Sequence, residues 1–167
     1  MVHHRAGWLS PVFEALSYAG RLGLVWIVIA LALGTAYRRW GVIWLTLIAV
    51  ALADWSAAGL KELVDRPRPP ERYAEPKTLV PVPHDASFPS GHAATSFAAA
   101  TMLSFAFPRL APALLLLAAA VAFSRIYVGV HYPLDVAGGA VLGVLVATAL
   151  RLLVRALRRS PRTTPAG

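Results

Sequence analysis

Long stretches without charge limit what this sequence can fold into more than any other feature. No Asp, Glu, Lys or Arg occurs in residues 22–37, 110–124 or 136–150. Residues 40–60 contain one charge, Asp54, and residues 91–108 contain none. A helix needs about 20 mostly apolar residues to cross the hydrocarbon core of a bilayer. The pattern therefore predicts an all-α, polytopic transmembrane helical bundle with about five spans.

The composition agrees with this fold class. Hydrophobic residues make up 57% of the chain and charged residues 14%, which is outside the range of ordinary soluble domains. The five stretches use most of the 167 residues, so we expect residues 1–167 to form a single membrane-embedded domain. Residues 8–21 have apolar positions at helical spacing and predict a short interfacial helix at the N terminus.

The net charge of +8 does not indicate a nucleic-acid partner. Many of the arginines lie beside the spans, and a basic C-terminal tail covers residues 151–167. Positive charges at these places are typical of topology signals and of contacts with lipid headgroups. The chain has no cysteine, which excludes disulfides and thiolate metal sites.

One connection between spans is much longer than the others. Residues 61–90 hold 7 of the 13 prolines, a density that prevents a continuous helix. A loop of this length is either functional or a flexible connector. Its acidic residues, Glu62, Asp65, Glu71, Glu75 and Asp85, are expected to be solvated partners of its cations. Two spans separate this loop from residues 125–135, so both connections should lie on the same side of the membrane.

The orientation can be predicted from positive charges near span ends. With the N terminus outside, five spans place eight Lys and Arg residues on each side. The tie is broken if Lys61, Arg68 and Arg125 are retained for chemistry, since this leaves eight inside against five outside. The long loop is therefore predicted to face outward, on the extracytoplasmic side of the cell membrane.

Three polar clusters fall on that shared side: residues 61–69, 89–92 and 124–135. Each residue has a structural alternative when it is taken singly. Lys61 and Arg125 could extend from helix ends to the lipid interface, and Arg68 could be a solvated loop charge. Ser90 could only cap a helix, and Asp135 could only interact with a helix dipole. These alternatives would all have to coincide on one face, where ionisable groups at membrane depth usually mark function.

Together the clusters are suited to binding phosphate. Lys61, Arg68 and Arg125 supply three cations, more than a single carboxylate would need, and arginine matches the geometry of phosphate oxygens. Ser90 and Gly91 begin a predicted helix, whose free backbone amides attract anions.

Two histidines add chemistry that needs no metal. His131 is the candidate nucleophile because Asp135, four residues later, can accept a hydrogen bond from one ring nitrogen and leave a lone pair on the other. His92, in the first turn of a predicted span, is the candidate general acid for the leaving group.

The three clusters together resemble the signature of the type 2 phosphatidic acid phosphatase superfamily. The matching residues, in the family's order and spacing, are Lys61-x6-Arg68-Pro69, Pro89-Ser90-Gly91-His92 and Ser124-Arg125-x5-His131-x3-Asp135. The resemblance implies a helical bundle and a metal-independent lipid phosphatase without cofactor. It also implies a phosphohistidine at His131, His92 as acid, an extracytoplasmic site, and phosphate held by Lys61, Arg68, Ser90, Gly91 and Arg125.

The small size of the chain resembles that of bacterial members acting on polyprenyl diphosphates, which is the substrate we expect first. Phosphatidic acid, phosphatidylglycerophosphate and a polyprenyl-phosphosugar phosphate are alternatives. A lipid phosphotransferase and a non-catalytic phospholipid carrier are alternatives of another class, although a carrier would not need a nucleophile held in one tautomer. Gly139 and Gly143 form a GxxxG motif that favours helix packing inside the bundle, and the sequence does not indicate an oligomeric state.

Overall fold

The computed structural model describes residues 5–20, 23–75 and 77–159, and these residues form helices joined by irregular segments without any strand. The helices are α1 (Ser10–Ala19), α2 (Leu24–Ala36), α3 (Trp40–Val64), α4 (Pro69–Arg72), α5 (Gly91–Ala106), α6 (Ala111–Tyr127) and α7 (Pro133–Arg159). The predicted all-α class is confirmed. Arg21 and the part of the predicted basic tail beyond residue 159 lie outside the described residues.

Three helical segments are long and apolar enough to cross a membrane: Trp40–Arg72, Pro108–Tyr127 and Pro133–Arg159. A fourth results if the bent pair Gly7–Ala19 and Leu24–Ala36, which meets at 70°, counts as one span. The predicted number was about five. The difference lies partly in α5, whose 16 residues rise only about 24 Å against a hydrocarbon core of about 30 Å.

Helix α5 lies at the centre of the bundle and packs against α3, α6 and α7. Its inner faces carry small residues, and Ala94, Ala98 and Ala99 are fully buried. Gly139 and Gly143 of α7 lie directly against its backbone, so that a Cβ on Gly143 would meet the carbonyl oxygen of Ala94. The predicted role of the GxxxG motif in packing within the bundle is confirmed.

The outer faces of the helices are apolar as well. Trp44, Leu116 and Leu145 are largely exposed, as lipid-facing side chains are when a bundle is viewed without its bilayer. A polar contact inside the bundle joins two helices: the indole of Trp26 donates a hydrogen bond to Ser96 Oγ at 2.9 Å, and both side chains are fully buried.

The long loop begins where α3 ends. Asp65 adopts a left-handed backbone conformation with φ 42°, and Pro67 follows, so the helix cannot continue to Arg68. Apart from the single turn of α4, the described part of the loop is irregular. It folds back over the bundle, and Leu79 N donates a hydrogen bond to Val128 O at 3.1 Å. The two polar connections therefore meet, as predicted from the span count between them.

The N-terminal helix α1 packs on α6. The ring of Phe13 stacks on Tyr127 with centroids 4.3 Å apart and meets Phe123 edge-on at 5.6 Å. The carbonyl of Ala6 accepts a hydrogen bond from the Tyr127 hydroxyl at 2.9 Å. These contacts bring the N-terminal end of α1 next to the end of α6, where the polar connection to α7 begins.

Candidate active site

A cavity of about 190 Å³ opens at the end of the bundle where the two polar connections meet. Six of the eight residues predicted for the site line it: Lys61, Arg68, Gly91, His92, Arg125 and His131. The other two, Ser90 and Asp135, are fully buried behind its wall. The structure thus brings side chains from α3, α5, α6 and two loops to one place.

Arg68 is the most heavily bonded of the cations. Its side chain is 1% exposed. Nε donates to the carbonyl of Asp85 at 2.8 Å, and Nη1 donates to the carbonyl of Val130 at 2.9 Å. Nη1 also lies 3.2 Å from Nε2 of His131. The guanidinium therefore ties the long loop to the α6–α7 connection and directs one donor at the histidine.

Asp85 pairs with two of the predicted phosphate-binding cations. One carboxylate oxygen accepts from Arg68 Nη2 at 2.7 Å, and the other is in close contact with Lys61 Nζ. Burial alone would raise the pKa of Asp85, but the hydrogen bonds from Lys61 and Arg68 lower it to about 2. The sequence predicts Asp85 as a solvated partner of the loop cations. Its partners are two cations of that loop, Lys61 and Arg68, which also belong to the predicted site, and its side chain is 51% exposed.

His131 lies in the connection between α6 and α7 and is 4% exposed. Burial lowers the pKa of His131 to about 4. The positive charges of Arg68 and Arg125 also lower this pKa, whereas Asp135 raises it. A guanidinium can only donate, so the Nε2 atom facing Arg68 carries a lone pair and the neutral ring holds its proton on Nδ1. Nε2 is the nitrogen that faces the cavity cations.

Asp135 is fully buried and holds several groups at once. Oδ2 lies 3.5 Å from Nδ1 of His131, the outer limit of a hydrogen bond, and Nδ1 has no closer partner. The same oxygen accepts from the Tyr132 amide at 2.9 Å and from the Ser87 hydroxyl. Oδ1 accepts from Arg66 Nη1 at 2.8 Å. The carboxylate anchors the long loop to the start of α7 as well as facing His131.

Ser90 and Gly91 form the start of α5. Ser90 is the N-cap residue, and its hydroxyl accepts a long hydrogen bond of 3.5 Å from Ala93 N. Its side chain therefore acts as a helix cap, the structural alternative considered for it. Gly91 lines the cavity, where the helix start presents backbone amides and the positive end of the helix dipole.

Two site residues contact α1 through Ser17. Nε2 of His92 lies 3.1 Å from the Ser17 carbonyl oxygen, and since a carbonyl only accepts, this nitrogen carries the proton. Arg125 Nη1 is in close contact with Ser17 Oγ, while Nε of the same guanidinium is buried without a partner among the described residues. The N-terminal helix thus orients the candidate acid and one candidate phosphate ligand.

A second cavity, of about 390 Å³, adjoins the first. It lies between α1 and residues 80–84, and His92, Arg125 and Pro83 border both spaces. Val80, Pro81 and Val82 give this passage an apolar wall. Within the described ranges, no group of three or more His, Asp or Glu side chains is arranged to hold a metal ion.

The predicted site residues did not include Ser17, Arg66, Asp85 or Ser87, whose side chains contact them. No spacing rule connects Ser17 to Arg125, which is 108 residues away. Arg66 stands two residues before a predicted ligand and could have been suspected for that reason. Ser87 stands two residues before the "PSGH" cluster, and nothing in the sequence indicates that its buried hydroxyl donates to Asp135.

Comparison with known proteins supports one family for the chain. A model of the PAP2 superfamily matches residues 42–159. Decaprenylphosphoryl-5-phosphoribose phosphatase of Mycobacterium tuberculosis is 37% identical over 143 residues, covering 85% of this chain and 78% of that protein. Undecaprenyl-diphosphatase of Sulfolobus acidocaldarius is 34% identical over 148 residues, covering 84% of this chain and 68% of that protein.

Solved structures resemble the fold across most of its length. The crystal structure of Aquifex aeolicus LpxE superimposes with a TM-score of 0.78 at 30% identity, covering 90% of each chain. The transmembrane PAP2 type phosphatidylglycerolphosphate phosphatase from Bacillus subtilis gives a TM-score of 0.73 at 26% identity, covering 96% of this chain and 83% of that one.

Proposed function

Because the chain belongs to the PAP2 superfamily, we propose that it is an integral membrane phosphatase that removes the terminal phosphate of a polyprenyl lipid. One observation carries this proposal: Lys61, Arg68, Arg125, His92 and His131 line a single cavity at the end of an apolar bundle. Cations alone would be enough for a phospholipid carrier. A buried, neutral histidine whose lone pair faces these cations can in addition act as a nucleophile.

The phosphate is held by Lys61, Arg68 and Arg125 together with the backbone amides at the start of α5. Arg125 supports this role because its Nε is buried without a partner among the described residues. Lys61 and Arg68 must first exchange the Asp85 carboxylate for phosphate oxygens. Charge stabilisation of this kind supplies most of the catalysis in phosphoryl transfer.

His131 is the nucleophile and His92 the general acid. Nε2 of His131 bonds to phosphorus as the bond from phosphorus to the leaving oxygen breaks. The leaving oxygen takes a proton from the imidazolium form of His92, which becomes a neutral imidazole. His92 must exchange its acceptor, the Ser17 carbonyl, for the leaving group. Water then attacks the phosphohistidine, returns a proton to His92, and releases phosphate and neutral His131.

The relatives favour two lipid substrates. A polyprenyl-phosphosugar phosphate comes first, because the decaprenylphosphoryl-5-phosphoribose phosphatase is matched over a larger share of its length than the undecaprenyl-diphosphatase is. A polyprenyl diphosphate, the substrate expected first from the sequence, is the second candidate. The apolar passage between α1 and residues 80–84 is suited to admit the lipid part of either substrate.

The membrane topology belongs to the same proposal. Residues 1–167 belong to one domain with about five spans. The short helix α5 is one of these spans and packs among the longer helices α3, α6 and α7. The cavity faces the extracytoplasmic side. The positive charges support this orientation once Lys61, Arg68 and Arg125 are assigned to the site, because the tie then becomes eight inside against five outside. The chain has no cysteine, so a single Cys at Glu71 can report the side. Labelling of Glu71→Cys by a membrane-impermeant maleimide in intact cells is expected, and labelling only after lysis would contradict the orientation.

Phosphate release tests the function directly. Purified protein in detergent is given decaprenylphosphoryl-5-phosphoribose, undecaprenyl diphosphate, phosphatidic acid and phosphatidylglycerophosphate, each with excess chelator. We expect release from the polyprenyl lipids and at least about a 1,000-fold lower rate for His131→Ala. A wild type inactive on every lipid, or an undiminished His131→Ala, would contradict the proposal. Transfer of phosphate to an added alcohol in place of water would identify a phosphotransferase.

A further inference from the structure

Asp54 lines the active-site cavity, and the proposed reaction gives it no part. It lies in the transmembrane helix α3, and no other Asp, Glu, Lys or Arg occurs in residues 40–60. Its Oδ1 atom lies 3.8 Å from the position that a Cβ on Gly91 would take, so the carboxylate faces the start of α5. The residue is exposed and forms no ion pair among the described residues. Ionisable groups at membrane depth are costly and usually mark function.

Asp54 lies on the membrane side of the phosphate-binding groups. Lys61 follows seven residues later in the same helix, nearer the polar loop, so the two positions are roughly 10 Å apart along the helix axis. Thr95, one turn after Gly91 in α5, lines the cavity as well and donates to the Gly91 carbonyl at 3.0 Å. A terminal phosphate bound beside Lys61 therefore leaves this polar part of the cavity to the atoms that follow the phosphate in the substrate.

The chemistry of a carboxylate restricts which atoms can lie against it. An ionised carboxylate accepts hydrogen bonds and cannot donate them. A hydroxyl can donate such a bond, whereas a second phosphate brings acceptor oxygens and negative charge, and a hydrocarbon chain brings no donor. Carboxylates hold ribose hydroxyls in this way in dinucleotide-binding sites. The place beside Asp54 is therefore suited to a hydroxyl-bearing group joined to the phosphate that is removed.

We propose that Asp54 is a specificity-determining residue, which accepts a hydrogen bond from a hydroxyl of the sugar that carries the terminal phosphate. This inference rests on the proposed function, because it takes the cavity to bind that phosphate. It favours the phosphosugar lipid over the polyprenyl diphosphate. The sugar lies between Asp54 and His92, which protonates the leaving oxygen, whereas the inner phosphate of a diphosphate would face the Asp54 charge at the same place.

The second cavity provides space for the rest of such a substrate. His92 and Arg125 border both cavities, and the second one, of about 390 Å³, has the apolar wall formed by residues 80–82. The sugar can remain beside Asp54 in the first cavity while the prenyl part continues along this wall. A phosphosugar between the reacting phosphorus and the lipid is thus accommodated by the two adjoining spaces.

The test compares wild type, Asp54→Leu and Glu62→Gln on three lipids with the same prenyl chain. The lipids are decaprenylphosphoryl-5-phosphoribose, its analogue with the ribose hydroxyls replaced by hydrogen, and decaprenyl diphosphate. Leucine has a branched shape similar to that of aspartate and removes both the acceptor and the charge. Glu62→Gln is the control, because it removes an exposed acid of the same helix. The quantity compared is the ratio of kcat/KM between lipids.

We expect wild type and Glu62→Gln to show a kcat/KM at least about tenfold higher for the phosphoribose lipid than for its hydroxyl-free analogue, the effect of one charge-assisted hydrogen bond. In Asp54→Leu the two values should lie within about twofold of each other. A purely structural role would lower both values by the same factor and leave their ratio unchanged. Asp54→Asn is the second variant if Asp54→Leu is not stably folded, and its ratio should be at least about threefold below that of wild type.

An unchanged ratio in the Asp54 variants would overturn the inference. A wild type that turns over the hydroxyl-free analogue or decaprenyl diphosphate as well as the phosphoribose lipid would also overturn it, and the proposed phosphatase function would still stand. A wild type that releases no phosphate from any lipid would instead overturn the proposed function, and this inference with it.

Discussion

Nη1 of Arg68 lies 3.2 Å from Nε2 of His131, so the cation nearest the candidate nucleophile points a donor at its lone pair. The same nitrogen of Arg68 is held by the Val130 carbonyl at 2.9 Å. Under the proposed mechanism, an arriving phosphate would replace this donor contact at His131 while it binds to the same guanidinium.

Replacing Arg68 by lysine should remove most of the activity, although the charge is kept. Lysine has one ammonium group, which cannot reach the Asp85 carbonyl, the Val130 carbonyl and His131 at the same time as hydrogen-bond donor. We expect kcat/KM to fall at least about 100-fold for Arg68→Lys. Arg72→Lys, on the exposed turn α4, is the matched control and should stay within about twofold of wild type. An Arg68→Lys enzyme as active as that control would contradict the role of the fork.

His131 should titrate well below an ordinary histidine. Its pKa is lowered to about 4, so the neutral, nucleophilic form persists as the pH falls, and protonation removes the nucleophile only below that value. The charged and titratable groups around it include Arg68, Arg125, Lys61, His92, Asp54, Asp85 and Asp135. The measurement is an NMR titration of protein with 15N-labelled histidine, with the His131 signals assigned by His131→Gln. A midpoint near 6.5, the usual value, would contradict the environment described here.

Arg66 should support catalysis without binding substrate. Its Nη1 lies 2.8 Å from Asp135 Oδ1, and its guanidinium stacks 4.3 Å above the Tyr132 ring. Arg66→Ala leaves Asp135 with fewer donors, so we expect kcat to fall about tenfold while KM changes less than about twofold. Arg66→Lys should recover part of kcat because it restores the charge. A rise in KM with an unchanged kcat would instead indicate that Arg66 binds substrate.

Gly143→Ala should destabilise the bundle. The added Cβ would meet the Ala94 carbonyl and lie 2.8 Å from Ala98 N, and neither backbone atom can move away cheaply. We expect a loss of about 1–3 kcal/mol in the free energy of unfolding. Gly59→Ala is the control, because a Cβ there meets no atom within 4 Å. That variant should gain up to about 1 kcal/mol from helix propensity. Thermal unfolding in one detergent compares the two, and equal shifts would contradict close α5–α7 packing.

The sequence predicted the helical class and the position of most helices, because apolar stretches without charge have few alternatives. Residues 40–60 correspond to α3, residues 110–124 to α6, and residues 136–150 to the middle of α7. The number of spans could not be predicted in the same way. The predicted stretch 91–108 does form a helix, α5, over Gly91–Ala106, but at 16 residues it is too short to count as a span by length.

The motif residues of the site could be selected from the sequence because their chemistry is distinctive. Their partners could be predicted only in part. The sequence predicts Asp85 as a solvated partner of the loop cations, but not that it pairs with both Lys61 and Arg68 in the cavity. The His131–Asp135 pair shows the same limit. A spacing of four residues allows a hydrogen bond between the two side chains. Asp135 also accepts hydrogen bonds from Arg66 and Ser87, and its Oδ2 atom lies 3.5 Å from Nδ1 of His131.

The contact between Ser17 and Arg125 joins positions 108 residues apart in the chain. Proteins are synthesised from the N terminus at about 5–20 residues per second, so roughly 5–20 s separate the appearance of these two residues. His131 follows later still. During biosynthesis the cavity can therefore be completed only after residue 131 has been made, when most of the bundle has already been synthesised.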